Sequence, residues 1–123
     1  MVRHEQLLEV EGLAGGKGKA HKYEIVSKDE LLGHGRLYAR IILEPGSSVG
    51  WHQHVNDTEP YYILNGEGDF IEGNSENGEK IRTRVKSGDI CVINVGQWHS
   101  LENNSDKTLE FMALIYNKPG YLN

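Results

Sequence analysis

The property that most limits what this chain can fold into is how soon each of its apolar segments is interrupted. From Leu37 onward, turn-forming residues recur at 45–46, 65–66, 73–78, 87–89 and 103–106. Gly, Asn, Asp, Ser and Pro at such points favour reversals over continued helix. Fifteen of the 123 residues are glycine, which leaves room for many short elements and few long ones. Residues 37–43, 51–55, 61–64, 67–72, 79–85, 89–93, 99–103 and 108–116 read as strands. Short strands at fairly even intervals predict an all-β antiparallel sandwich or small barrel. One core suits this length, and no linker or repeat divides the chain, so residues 1–123 are read as a single domain.

Before Leu37 the pattern is looser. Residues 1–10 fit a strand or an arm, and residues 21–26 fit a strand. Residues 12–18 form a glycine-rich loop without the Gly-Lys-Ser/Thr ending of a phosphate cradle. Ser27 and Glu30 have the spacing of a capping box, but Gly33 and Gly35 allow little more than one helical turn. Residues 79–86 alternate, with Ile81, Thr83 and Val85 on one face and Lys80, Arg82, Arg84 and Lys86 on the other. That cationic row reads as a solvated sheet face protecting an edge.

A net charge of -5 argues against a broad nucleic-acid footprint, which needs a basic surface. No segment approaches the roughly 18 apolar residues of a membrane span. Cys91 is the only cysteine, so no internal disulfide can form, and its neighbours Ile90, Val92 and Ile93 mark it as a buried apolar residue. These features predict a cytoplasmic protein.

The chemistry-bearing residues lie in two stretches. In residues 46–66, Gly46 is followed at fixed intervals by His52, His54, Glu59 and Gly66; in residues 88–103, Gly88, Gly96, His99 and Asn103 follow. Side chains alternate along a strand, so His52 and His54 share a face roughly 7 Å apart, close enough to ligate one ion. Glu59 is an odd number of steps from His54, so residues 56–58 must turn for it to join them. Tyr61 and Ile63 then follow Glu59 inward, and Pro60 and Tyr62 point out. Imidazole nitrogens with one carboxylate suit a divalent iron, manganese, nickel, copper or zinc ion. Four protein ligands leave one or two positions of an octahedral ion open, as a catalytic site requires. His4, His21 and His34 lie outside both stretches and read as surface or loop histidines.

The first stretch resembles motif 1 of the cupin superfamily, G(X)5HXH(X)3,4E(X)6G, at every fixed position. The second resembles cupin motif 2, G(X)5PXG(X)2H(X)3N, with Asn94 where that family usually has proline. The resemblance implies a double-stranded β-helix, or jelly-roll barrel, with a metal inside its mouth. His52, His54, Glu59 and His99 correspond to the four ligands, and manganese, iron, nickel or zinc is the implied ion. Around them, Tyr38, Arg40, Tyr61, Gln97, Trp98 and one face of residues 111–116 are candidate substrate contacts. Cupins of similar motif include dioxygenases, decarboxylases, isomerases and non-enzymatic sugar or effector binders, so the fold does not select the reaction. The expectation is a metal-dependent protein acting on a small oxygenated, anionic molecule, as an oxygenase or decarboxylase; the alternative is a binding module without turnover. A homodimer is expected, because a barrel this small leaves edge strands to cover.

Overall fold

In the computed structural model, which describes residues 1–123, the strands in chain order are β1 (Gln6–Glu11), β2 (Lys19–Val26), β3 (Gly35–Leu43), β4 (Ser48–Gln53), β5 (Asp57–Thr58), β6 (Tyr61–Asn65), β7 (Glu67–Gly73), β8 (Lys80–Lys86), β9 (Ile90–Cys91), β10 (Trp98–Glu102) and β11 (Leu109–Asn117). They form two antiparallel sheets. The larger runs β1-β2-β3-β11-β6-β9, with β5 paired to the end of β11, and the smaller runs β4-β10-β7-β8. Strands from the two halves of the chain interleave, β11 between β3 and β6 and β10 between β4 and β7. This is the jelly-roll barrel expected from the sequence.

The core follows from strand parity. On β3, Ala39, Ile41 and Leu43 are buried, and on β11, Leu109, Phe111, Ala113 and Ile115 are buried. Val49, Phe70, Val85 and Leu101 face them from the smaller sheet, and Tyr61 packs between, its ring 4.7 Å from Phe111 and 6.2 Å from Phe70. Each Val, Leu, Ile or Phe among them contributes about 1.5–3 kcal/mol on removal from water.

Asn103 ties the two motif stretches together. It is 1% exposed; its Nδ2 donates to the carbonyls of Leu43 and Lys107, and its Oδ1 accepts from Ser105. Its backbone exchanges bonds with the 46–47 turn, Gly46 N–H to the Asn103 carbonyl and Asn103 N–H to the Ser47 carbonyl. Asparagine supplies both a donor and an acceptor there without a charge to bury.

Some segments depart from expectation. The strand read at 89–93 shrinks to Ile90–Cys91. Of the apolar face of β8 only Val85 is buried, while Ile81 is 63% exposed, because the tip of the β7–β8 hairpin projects past the core. Three of the four cations in the row are held within the chain: Arg82 pairs with Asp69 and Glu102, Arg84 with Glu67 and Asp69, and Lys80 sits over the Trp51 ring. Residues 56–58 do more than turn. Asp57 and Thr58 pair with Asn117 and Tyr116, so here the chain crosses from the smaller sheet to the larger. The capping box forms, Ser27 N–H donating to Glu30 and Glu30 N–H to the Ser27 hydroxyl, ahead of a single 3₁₀ turn at Asp29–Leu31.

Candidate metal centre

Three elements deliver the polar cluster. β4 carries His52, and His54 follows directly after it, with its N–H bonded to the Gln97 carbonyl. The crossing at β5 brings Glu59 in from the larger sheet, and β10 presents His99 opposite His52 in register. His54 and His99 are fully buried, Glu59 nearly so, and the His52 side chain is 23% exposed.

The imidazole Nε2 atoms converge: His52 to His54 is 3.1 Å, His54 to His99 3.0 Å and His52 to His99 3.1 Å. Glu59 Oε1 lies 3.1 Å from His54, 3.2 Å from His99 and 3.6 Å from His52. The outer nitrogens fix the tautomers of two rings. His52 Nδ1 is 2.6 Å from the Gly50 carbonyl and His54 Nδ1 is 2.7 Å from Asp57 Oδ1. A carbonyl and a carboxylate only accept, so both Nδ1 atoms carry the proton and both Nε2 atoms offer lone pairs inward. Lone pairs this close repel unless a cation lies among them. Donors held ~2.0–2.2 Å from one ion have about this mutual spacing. The residues present therefore fit a metal ion.

His99 is positioned differently. Its buried Nδ1 has no hydrogen-bond partner, and packing orients the ring, with Tyr61 stacked on it at 5.0 Å and the Phe70 ring edge-on at 5.8 Å. Burial keeps its pKa below the ordinary imidazole value. Burial also pulls His54 down, but Glu59 and Asp57 outweigh it and the net shift is upward. For Glu59, burial disfavours the charge, yet the three histidines gathered around it outweigh burial and hold its pKa well below the usual carboxylate range. Burial and the Glu59 charge push Tyr61 well up, so its hydroxyl stays protonated and donates to Glu59 Oε1 at 3.2 Å.

A cavity of about 220 Å³ opens onto His52, His54, Glu59 and Tyr61. Leu13, Leu37, Ile41 and Val49 form apolar walls, and Lys22 and Arg36 supply its cations. Of the candidate substrate contacts, Tyr61 and, from the inner face of residues 111–116, Ile115 lie here. Tyr38 and Arg40 occupy the outer face of β3, because Leu37, Ala39 and Ile41 take the inner one. Arg40 is bonded to Glu5 and Glu110 and stacked over Tyr23. Trp98 points out of β10, since His99 points in, and stacks on Trp51. Gln97 is drawn away by the Asn94 turn. Asparagine, unlike proline, has an N–H, and Gln97 Oε1 accepts it at 2.7 Å while Gln97 Nε2 donates to Asn74.

Asp57, Lys22, Arg36 and Leu13 are among the site residues that sequence reasoning missed. Asp57 sits three residues past His54, a spacing that suits a turn as well as a hydrogen bond. Its carboxylate bridges His54 and Arg36, with Arg36 Nε 3.0 Å from Oδ2. Lys22 shares a face with buried Ala20, and that inward parity shows only once the register of β2 on β3 is known.

Comparison with known proteins places this architecture. A family model described as Cupin domain matches residues 39–115. The Oxalate-binding protein of Thermotoga maritima is 42% identical over 106 residues, which are 86% of this chain and 83% of that protein. A crystal structure from Thermotoga maritima, described as a predicted oxalate decarboxylase, superposes with a TM-score of 0.82 at 38% identity, covering 96% of this chain and 99% of the other. Acireductone dioxygenase of Tuber melanosporum is 27% identical over 112 residues, 90% of this chain but 60% of the dioxygenase. The family match begins on β3 and ends on β11, so it takes in both motif stretches and the strands that bring them together. The chain belongs to the cupin family.

Proposed function

We propose that residues 1–123 act as one cupin domain that holds a divalent transition metal, namely manganese, iron, nickel or zinc, through His52, His54, Glu59 and His99, and uses it to bind a small carboxylate of the oxalate class. The observation that carries this reading is the convergence of three Nε2 atoms and one carboxylate oxygen at 3.0–3.6 Å beside a small cavity. About 220 Å³ falls below the ~300–1,000 Å³ of pockets for drug-sized ligands, so the ligand is small. The 23% exposure of the His52 side chain, against 6% or less for the other three, supports an approach from its side. The 42% identical relative is an oxalate-binding protein by name, which supports the ligand class. When bound, the ion supplies a Lewis-acidic position for a carboxylate oxygen.

Elemental analysis of protein purified without added metal, followed by calorimetric titration with oxalate, tests this. One equivalent of metal and metal-dependent oxalate binding are expected. Equal metal content in wild type and in a His52→Ala, His99→Ala double variant would overturn it.

Turnover is the second reading, favoured by the similarity to the structure described as a predicted oxalate decarboxylase. Binding alone fits the cavity better: Tyr61 is bonded to Glu59, and Asp57 is shared by His54 and Arg36, which leaves no free carboxyl or phenol to move protons. Formate release or oxygen uptake with oxalate would establish turnover instead.

A homodimer and a cytoplasmic setting belong to the same proposal. Tyr62 and Ile90 are 50% and 67% exposed and, with Tyr38, Met112 and Leu114, line an apolar groove on the outside of the larger sheet. A sedimentation mass of twice 13.8 kDa is expected at micromolar concentration, and the mass of one chain would refute the dimer. Buried Cys91 and the absence of any disulfide suit a reducing compartment, and no helix is long and apolar enough to cross a membrane.

A further inference from the structure

Lys22 is a charged residue on the inner face of a strand that needs none for folding. Its neighbour in parity, Ala20, is 1% exposed and belongs to the core, and its register partner Ile41 lines the cavity. Lys22 lines the same cavity. The other cation there, Arg36, is paired to Asp57, whereas Lys22 has no carboxylate within salt-bridge distance. The only acid on the cavity wall is Glu59, which is committed to the three histidines. A partly buried lysine on a cavity wall, with no carboxylate of its own to pair with, is free to receive an anionic ligand.

We propose that Lys22 is the specificity-determining anchor of the cavity, receiving the far carboxylate oxygens of a dianionic ligand and selecting dicarboxylates over monoanions of similar size. This rests on the metal-binding reading above and deepens it. Charge matching supports it. With a divalent ion in the cluster, Glu59 and Lys22 cancel formally, Asp57 and Arg36 cancel, and the remaining two positive charges match one dianion. The walls leave little alternative in size, since Leu13, Leu37, Ile41 and Val49 close the cavity at about 220 Å³. A two-carbon dicarboxylate with one edge turned to the cluster must point its other oxygens at these walls. Of the two wall cations, Arg36 already has a carboxylate partner in Asp57 through its Nε, and Lys22 has none, so the uncompensated positive charge facing them is that of Lys22. The ammonium of lysine has three donors on a flexible stem, suited to oxygens whose position is set elsewhere.

The test compares oxalate with glycolate, a two-carbon monoanion that can also chelate, by calorimetry on metal-loaded wild type, Lys22→Met and Lys22→Arg. Loss of one charge-assisted contact predicts about a 10- to 100-fold weaker oxalate affinity in Lys22→Met, with glycolate changed less than about 3-fold. Metal content should be unchanged, and Lys22→Arg should recover most of the oxalate affinity. Unaltered oxalate affinity in Lys22→Met with full metal content overturns the role of Lys22 and leaves the metal-site reading intact. Equal loss for oxalate and glycolate also overturns it, because that marks general damage to the pocket. Failure of metal-loaded wild type to bind oxalate overturns the underlying reading together with this one.

Discussion

Asp57 shows how much of this site rests on one side chain outside the ligand set. Its two oxygens serve His54 Nδ1 at 2.7 Å and Arg36 Nε at 3.0 Å, so it fixes the tautomer of one ligand. Carboxylates in that role typically change metal affinity about 10–100-fold when removed. Asp57→Ala should therefore weaken metal binding by that factor in a chelator competition while the apoprotein stays folded; unchanged affinity would show that burial alone orients His54. His21 gives a pH signature away from the site. Glu44 and Glu9 each take one ring nitrogen at 2.6 Å and raise its pKa, so the ring is an imidazolium joining β1, β2 and the turn after β3. Its folded pKa lies above the unfolded value of ~6.5. The stabilisation is therefore full below ~6.5 and is lost as pH rises through the raised value. Urea unfolding of wild type and His21→Gln should differ most below pH ~6.5 and converge as pH rises through the raised His21 pKa, with salt shrinking the gap because the carboxylates are partly exposed. A gap that widens with pH would contradict the pairing. At this scale the four residues of the cluster were legible in the sequence because their spacing is local. Gln97 was not, since its true partner is an N–H created by Asn94 standing where the motif usually has proline. Lys22 was missed because residues 21–26 have no apolar alternation to mark an inner face.

Elements explain the parts of the site that no motif reaches. Residues 12–18 look like a free glycine loop in the sequence, yet they dock on β4 and help to wall the cavity. Lys17 N–H donates to the Ser48 hydroxyl, Ser48 N–H to the Lys17 carbonyl, and Lys19 N–H to the Ser47 hydroxyl. The approach is backbone against backbone. A Cβ on Gly50 would overlap the Ala14 carbonyl oxygen and crowd Gly16 N, and Ala14, which lines the cavity, holds a left-handed φ of 51°. Gly50 also provides the carbonyl that fixes His52 Nδ1. Gly50→Ala should therefore cost about 1–3 kcal/mol in chemical denaturation, and it should also weaken metal binding, because the strain falls on the peptide that orients His52. A stability loss with metal affinity untouched would separate the loop from the site. The strands themselves were legible from turn spacing and alternation. The docking of this loop was not, because nothing in a run of glycines says which backbone they allow to come close.

At the scale of the whole molecule, the cluster joins the two sheets. His52 and His99 belong to the smaller sheet, and Glu59 lies between β5 and β6 of the larger. The jelly-roll topology was legible through the resemblance of the two stretches to the cupin motifs, and in the fold β10 lies beside β4, where His99 meets His52. How firmly the sheets are held at this end was not legible, because it depends on what the cluster binds. Without a cation, three imidazoles and a buried carboxylate crowd together at 3.0–3.6 Å, and the barrel mouth should be its least stable part. A metal that binds only the folded chain adds RT ln(1 + [L]/Kd), about 2.7 kcal/mol at a hundredfold excess over Kd. Stripping the metal with a chelator should lower the unfolding midpoint accordingly, and readdition should restore it in proportion to the logarithm of free metal. His99→Ala should abolish that dependence, since Glu59 and the β4 histidines would lose their ligand from β10. Hydrogen exchange locates the effect: protection should fall first at His52, His54 and His99, with Phe111 and Leu43, deep between the sheets, unaffected. Uniform loss of protection across both sheets would mean that the ion stabilises the fold as a whole and not the seam between the sheets.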